Sequence, residues 1–215
     1  MKKLLLAFII TVCTAFILTG CTKSYKEDAQ KAVSQYFAAV KEADLEGAKK
    51  YCSPNIDNEF DFDSYKQGFQ EQFKTMNLDE STRKQTEEFI DYCIRSSIVS
   101  YEVGEAEESK DWEDAYTVPV TIQFRDISDI DVETGQVAAN QKLQQYVKDN
   151  ESELEKVYTR QGEDAFEKKI MGDTMGIVLG EMKKLINSQK AEERKAEALV
   201  IQKNDQWVIS KITVD

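Results

Sequence analysis

Apolar residues recur at helical spacing through the first part of this chain. Val33, Tyr36, Phe37 and Val40 stand at i, i+3, i+4 and i+7, which predicts an amphipathic helix from about Tyr25. Asp44 is placed to cap a second helix carrying Leu45, Ala48 and Tyr51, and Ser53-Pro54-Asn55 stops it. Asp63 or Ser64 opens a third, with Tyr65, Phe69, Phe73 and Met76 on one side. A fourth runs from about Asp79 to Cys93 with Phe89 and Ile90. The period then shortens to two. Val99, Tyr101 and Val103 alternate with Ser100, Glu102 and Gly104, and Tyr116, Val118, Val120, Ile122 and Phe124 alternate with Thr117, Pro119, Thr121 and Gln123. Two strands are predicted, joined into a hairpin by the acidic stretch from Glu107 to Asp114. Pro119 has no N–H to give, so its strand is expected at an edge or at a bulge. Helical periodicity returns over about 136–194, with a break at Gln161-Gly162, and Ala198–Gln202 and Trp207–Val214 read as a closing hairpin around Asn204-Asp205-Gln206. Helices, hairpin, helical pair, hairpin: this order predicts an α+β fold with N-terminal helices packed on an antiparallel sheet and a two-helix insertion before the last hairpin.

The N-terminus follows a different pattern. Lys2 and Lys3 precede an apolar run from Leu4 to Leu18, broken only by Thr11, Cys13 and Thr14. Such a run is short for a membrane span and suits a secretory signal. It ends in Leu18-Thr19-Gly20-Cys21, which resembles the lipobox of bacterial lipoproteins. The resemblance implies that residues 1–20 are a removed signal peptide and that the Cys21 thiol carries acyl chains such as palmitate. It also implies that 21–24 is a lipidated tether and that 25–215 is a single extracytoplasmic domain held to the cell membrane. Two chains suffice for stable attachment. Thr22, Lys23 and Ser24 reach about 10 Å at full extension, so the domain is expected close to the bilayer.

Charge and composition narrow the function. The net charge is −12, and losing Lys2 and Lys3 with the signal makes it −14. That balance excludes nucleic acid as a partner and disfavours an anionic lipid surface as a resting place. The chain has no histidine, which removes histidine-based triads and imidazole metal sites. Cys52 and Cys93 remain after Cys13 leaves and Cys21 is lipidated. In an oxidising compartment they form either one disulfide or two separate buried thiols.

Several constellations have a chemical and a plainer interpretation. Asp129-x-Asp131-x-Glu133 and Asp57-x-Glu59-x-Asp61 begin like calcium loops, but Thr134 and Phe62 stand where the loop needs glycine, so solvated acidic loops are expected and no metal site. Gly172, Gly176 and Gly180 recur every four residues in a helical stretch. They suit close packing on a neighbouring helix of the same chain, a contact face for a partner, or a flexible point in a moving lid. Trp112, Tyr116, Phe124 and Trp207 are either core or the lining of a ligand mouth. No catalytic residues are identified and no cofactor is expected, since no carboxylate has a visible partner to tune it and no phosphate-cradling loop is present.

Two core patterns occur together: Val33-x-x-Tyr36-Phe37-x-Ala39 leading to Asp44 and Ala48, and Ala198-x-Val200-x-Gln202 leading through Asp205 to Trp207 and Ile209. They resemble the nuclear-transport-factor-2-like superfamily, as found in secreted lipoproteins of Gram-positive bacteria. The resemblance covers about 25–130 and 195–215, and it implies a cone-like curved sheet with a pocket. The insertion at 136–194 departs from the superfamily's pattern, and none of its catalytic motifs is present. The expected function is a lipid-anchored, non-catalytic domain that binds a small molecule or an envelope protein. The alternatives are a carboxylate-based envelope enzyme acting, for example, on glycans, and a structural accessory of a membrane complex.

Overall fold

The structure, a computed structural model, describes residues 25–76, 78–127 and 130–215. The expected signal segment 1–20 and the expected tether 21–24, with Cys21, lie outside the described residues. Among the described residues, six helices and six strands form an α+β fold. In chain order these are α1 (Tyr25–Lys41), α2 (Leu45–Lys49), β1 (Cys52–Asn58), α3 (Phe62–Lys74), α4 (Glu80–Ser97), β2 (Ile98–Val103), β3 (Glu107–Glu108), β4 (Ala115–Phe124), α5 (Val132–Gln161), α6 (Glu163–Ser188), β5 (Glu192–Lys203) and β6 (Gln206–Val214). Helices α2, α3, α4 and α5 each begin at an aspartate whose carboxylate accepts a backbone N–H: Asp44, Asp61, Asp79 and Asp131.

The sheet runs β1-β6-β5-β4-β2, with β3 also paired to β4. Alternation along β4 and β5 turns Val118, Val120, Ile122, Ala196, Ala198 and Val200 to one buried face, and a register shift in β6 opposite Leu199 and Val200 brings Ile209 and Ile212 to it as well. Helix α1 lies across that face, packing on β2, β4, β5 and β6 with Val33, Phe37 and Val40. Two hydrogen bonds set its position: Gln30 Nε2 donates to Gly104 O at 2.8 Å, and Tyr101 Oη donates to Ser34 O at 3.2 Å.

Two expectations about the sheet are corrected. Ser53-Pro54-Asn55 is not simply a stop, because it lies inside β1. This strand pairs parallel with β6, so the sheet is mixed at that edge and antiparallel elsewhere. An edge strand tolerates Pro54, and the register is irregular between Cys52 and Asp57. Pro119, in turn, sits in a central strand without a bulge. The Pro119 carbonyl accepts from Gly104 N at 2.8 Å. A strand residue's N–H and C=O point to the same neighbour, so the missing donor faces the place where β2 has ended at Val103 and β3 has yet to begin at Glu107. No ladder bond is lost there.

The two inserted helices form an antiparallel hairpin broken at Gly162, whose φ of 89° is open to glycine. The insertion begins at Val132, slightly before the periodicity suggests, and β5 starts early at Glu192. Helix α6 packs on α4 through a second core of Phe89, Cys93, Leu179 and Ile186, while α5 leans on α6. Polar ties hold that pair: Lys142 Nζ to Glu181 Oε1 at 2.6 Å, Lys169 Nζ to Asp173 at 3.0 Å and to Glu153 at 3.2 Å, and Tyr146 Oη donating to Asp173. Glu181 is buried, and its hydrogen bonds from Lys142 and then Lys184 hold its carboxyl below the usual range.

A Cβ on Gly104 would stand 2.8 Å from Pro119 Cγ and 3.3 Å from the Pro119 carbonyl oxygen. Gly104→Ala is therefore expected to cost about 1–3 kcal/mol of stability. It should appear in urea unfolding as a lower midpoint with an unchanged slope.

Candidate functional site

The cavities of interest flank one short segment. At the end of β1 the chain leaves the sheet at Asn58, whose side chain accepts from Phe60 N at 2.9 Å and donates to Tyr36 Oη at 2.7 Å. Glu59 Oε2 then accepts from Val214 N at 2.7 Å, and Asp61 Oδ1 caps α3 by accepting from Ser64 N at 3.0 Å. These bonds hold Phe60 and Phe62 in place, their rings parallel to within 5° at a centroid separation of 6.1 Å.

On one side lies a cleft of about 430 Å³ between α1, α2 and β1. Tyr36, Cys52 and Asn58 line it, and Lys49 crosses to Asp63 at 2.9 Å. Burial pushes the Tyr36 phenol well above its ordinary value, and the nearby Cys52 and acidic groups add to the effect.

On the other side lies a cleft of about 500 Å³ at the end of the sheet where β4 and β6 finish and β5 starts. Its apolar lining is Phe60, Phe62, Tyr65, Phe124, Ile127 and Val214, and its polar lining includes Glu59, Asp61, Asp126, Arg194 and Asp215. Phe124 packs on Phe60 at 5.6 Å between centroids. The Arg194 guanidinium lies over the Phe124 ring at 4.5 Å while its Nη2 pairs with Asp126 Oδ2 at 2.9 Å. This is a cation on an aromatic face, fixed by a carboxylate. No residue of α1 lines this cleft. The arrangement presents flat apolar surface with charged groups at its rim, which is the make-up of a binding pocket. Three of its carboxylates already have scaffold tasks: Asp61 caps a helix, Asp126 pairs with Arg194, and Glu59 holds the end of β6.

The four aromatics singled out from the sequence do not come together. Phe124 lines the second cleft. Tyr116 and Trp207 pack on each other at the opposite end of the sheet, centroids 5.1 Å apart, and Trp207 also meets Tyr25 at 5.7 Å. Trp112 is 61% exposed in the turn before β4. The reason is strand geometry. Eight residues of β4 separate Tyr116 from Phe124, about 27 Å at strand rise. The members missed from sequence are Phe60, Phe62, Asp126 and Arg194. Phe60 and Phe62 alternate with Glu59 and Asp61, and that interleaving of rings and acids was the available signal. Arg194 shows none, since its position opposite Asp126 exists only in the paired sheet.

Gly172 and Gly176 face α4 of the same chain, where an added Cβ would meet Thr82 Oγ1 at 3.3 Å and Gln85 Oε1 at 3.5 Å; nothing stands within 4 Å of one on Gly180. Cys52 and Cys93 are free thiols, Cys52 half-buried and Cys93 buried. Cys52 Sγ donates to Ala48 O at 3.6 Å, whereas Cys93 belongs to the core between α4 and α6. Asp131 caps α5, and Asp129 lies outside the described residues. Among the described residues, no group of three or more Cys, Asp or Glu is arranged to hold a metal, and no helix is long and apolar enough to cross a membrane.

No family model matches the chain, and neither does any curated protein. Among solved structures it is similar to a candidate lipoprotein, ycdA, of Bacillus subtilis subsp. subtilis str. 168. The likeness covers 85% of this chain and 51% of that one, at 16% identity and a TM-score of 0.44. The chain thus spans about half the length of that protein.

Burial pushes the Cys52 thiol up from 9.0 to about 12 and the Cys93 thiol to about 11, and it raises the Tyr65 phenol as it does that of Tyr36. A folded-state value above the unfolded one means that the stabilisation is complete below the unfolded value and is lost as pH rises through the folded one. Stability is therefore expected to fall between about pH 9 and pH 12, as followed by urea midpoints across that range. In Cys52→Ala/Cys93→Ala the onset of the fall should move to higher pH.

Proposed function

We propose that this chain is a lipid-anchored, extracytoplasmic domain that binds a ligand without transforming it, and that the cleft of Phe60, Phe62, Tyr65 and Phe124 is its binding site. The observation that carries the proposal is a group of four rings, Phe60, Phe62, Tyr65 and Phe124, beside three carboxylates, Glu59, Asp61 and Asp126, committed to the scaffold. Rings offer area and stacking faces to a ligand at little entropic cost. A carboxylate bound into a helix cap or an ion pair is a poor proton carrier, so the same geometry weighs against glycan hydrolysis by paired acids. The lipid anchor rests on the Leu18-Thr19-Gly20-Cys21 pattern. The nuclear-transport-factor-2-like resemblance belongs to the proposal too, supported by a long first helix across the inner face of the sheet. As a contact face for a partner, the glycine stripe is weakened by α4 standing against Gly172 and Gly176.

Native mass spectrometry of the full lipoprotein, gently extracted from its own membrane, tests the binding role. A bound small molecule is expected, and Phe124→Ala should lose it while Trp112→Ala keeps it. Retention in Phe124→Ala would move the site elsewhere. A glycan recovered in cleaved form would replace the binding role with an enzymatic one. Separately, Cys21→Ser is expected to shift the protein from the membrane to the soluble fraction and to remove the mass of the acyl chains.

A further inference from the structure

The two ends of the sheet differ in what they carry. At one end α1 begins at Tyr25, which is 49% exposed and packs on Trp207. Trp207 opens β6, and Tyr116 beside it opens β4. The exposed turn holding Trp112 closes there as well, with Ser109 N donating to Ala115 O at 2.9 Å. At the other end β4 finishes at Phe124 in register with Glu192 at the start of β5, and Arg194, Asp126 and the aromatic cleft lie there.

We infer that the Tyr25–Trp207 end of the sheet is the membrane-proximal end and that the Phe124 cleft opens away from the bilayer, out of reach of lipid headgroups. This rests on the lipid anchor at Cys21. Only Thr22, Lys23 and Ser24 separate that cysteine from Tyr25, a span of about 13 Å between the two Cα atoms at most. The run of β4 from Tyr116 to Phe124, about 27 Å, then stands between the anchored end and the cleft. Charge favours the upright pose. A domain of net charge −14 is repelled by an anionic leaflet and does not lie along it. Asp111, Glu113 and Asp114 flank Trp112, so that turn sits near the surface without entering it. The cleft then samples molecules in the aqueous layer beyond the membrane.

Energy transfer to an acceptor-labelled lipid reads the orientation directly. The full lipidated chain carrying Cys52→Ala is reconstituted in phosphatidylcholine vesicles containing one-tenth phosphatidylglycerol. It is labelled either at Lys203→Cys, at the exposed end of β5, or at Glu192→Cys, exposed beside the cleft end. Transfer is expected to be several-fold stronger from position 203 than from position 192. Equal transfer, or stronger transfer from 192, overturns the orientation. Flotation of the same samples separates the two premises: a chain that fails to float with the vesicles overturns the anchor itself, whatever the transfer. The circular dichroism of each labelled variant should match the parent, which excludes unfolding as the source of a changed signal.

Discussion

One helix closes the sheet, and most of the structure follows from that contact. Val33, Phe37 and Val40 of α1 meet the inner row of β4, β5 and β6, and each large apolar side chain buried there contributes about 1.5–3 kcal/mol. The helix has 17 residues, about 26 Å, whereas β5 alone extends about 40 Å. A cover shorter than the surface beneath it leaves an end open. At that end the segment after β1 folds inward and supplies Phe60 and Phe62, and the aromatic cleft is what remains between them, Phe124 and Tyr65. The pocket is thus a consequence of incomplete coverage, finished with rings.

Helices α2 and α3 join α1 on this core, whereas α6 packs on a second, smaller one. Helix α4 belongs to both, giving Ile90 and Ile94 to the sheet side and Phe89 and Cys93 to α6. The stripe of Phe89 and Cys93 stands about 100° around the helix from that of Ile90 and Ile94, so one element can serve two layers. The outer pair is tied as much by charge as by apolar contact. Glu181 is buried, but it receives two lysine ammonium groups, so its burial is compensated. Those ties set the register of α5 against α6, where Gly135 lets the Leu185 side chain approach closely.

Residues that share a short stretch of chain were legible before folding. Asp44 and Asp79 stand where their helices were expected to begin, whereas the caps Asp61 and Asp131 lie ahead of the starts that the periodicity suggests; the alternation from Tyr116 to Phe124 gives both the strand and its buried face. Pro119 shows the limit of such local logic. A proline argues against a central strand, yet here its missing donor falls at the handover from β2 to β3, a coincidence that only the pairing of three strands reveals. The candidate site is less legible still. Phe60 and Phe62 lie between two elements, without a period to mark them, and Arg194 meets Asp126 across 68 positions of sequence.

By itself the sequence determined what depends on neighbours along the chain: the helices and most strands, the α+β order, the acidic charge, the absence of imidazole chemistry, and the lipobox-like pattern. Hydrophobic period, capping and charge are local quantities, readable one segment at a time. The tertiary structure alone decided that β1 pairs parallel with β6, that Cys52 and Cys93 stand apart, and that four candidate aromatics divide between opposite ends of one sheet. These depend on which strands become neighbours and on how far a strand carries its residues. Both are set by packing across the whole fold, through contacts that no window of the sequence contains.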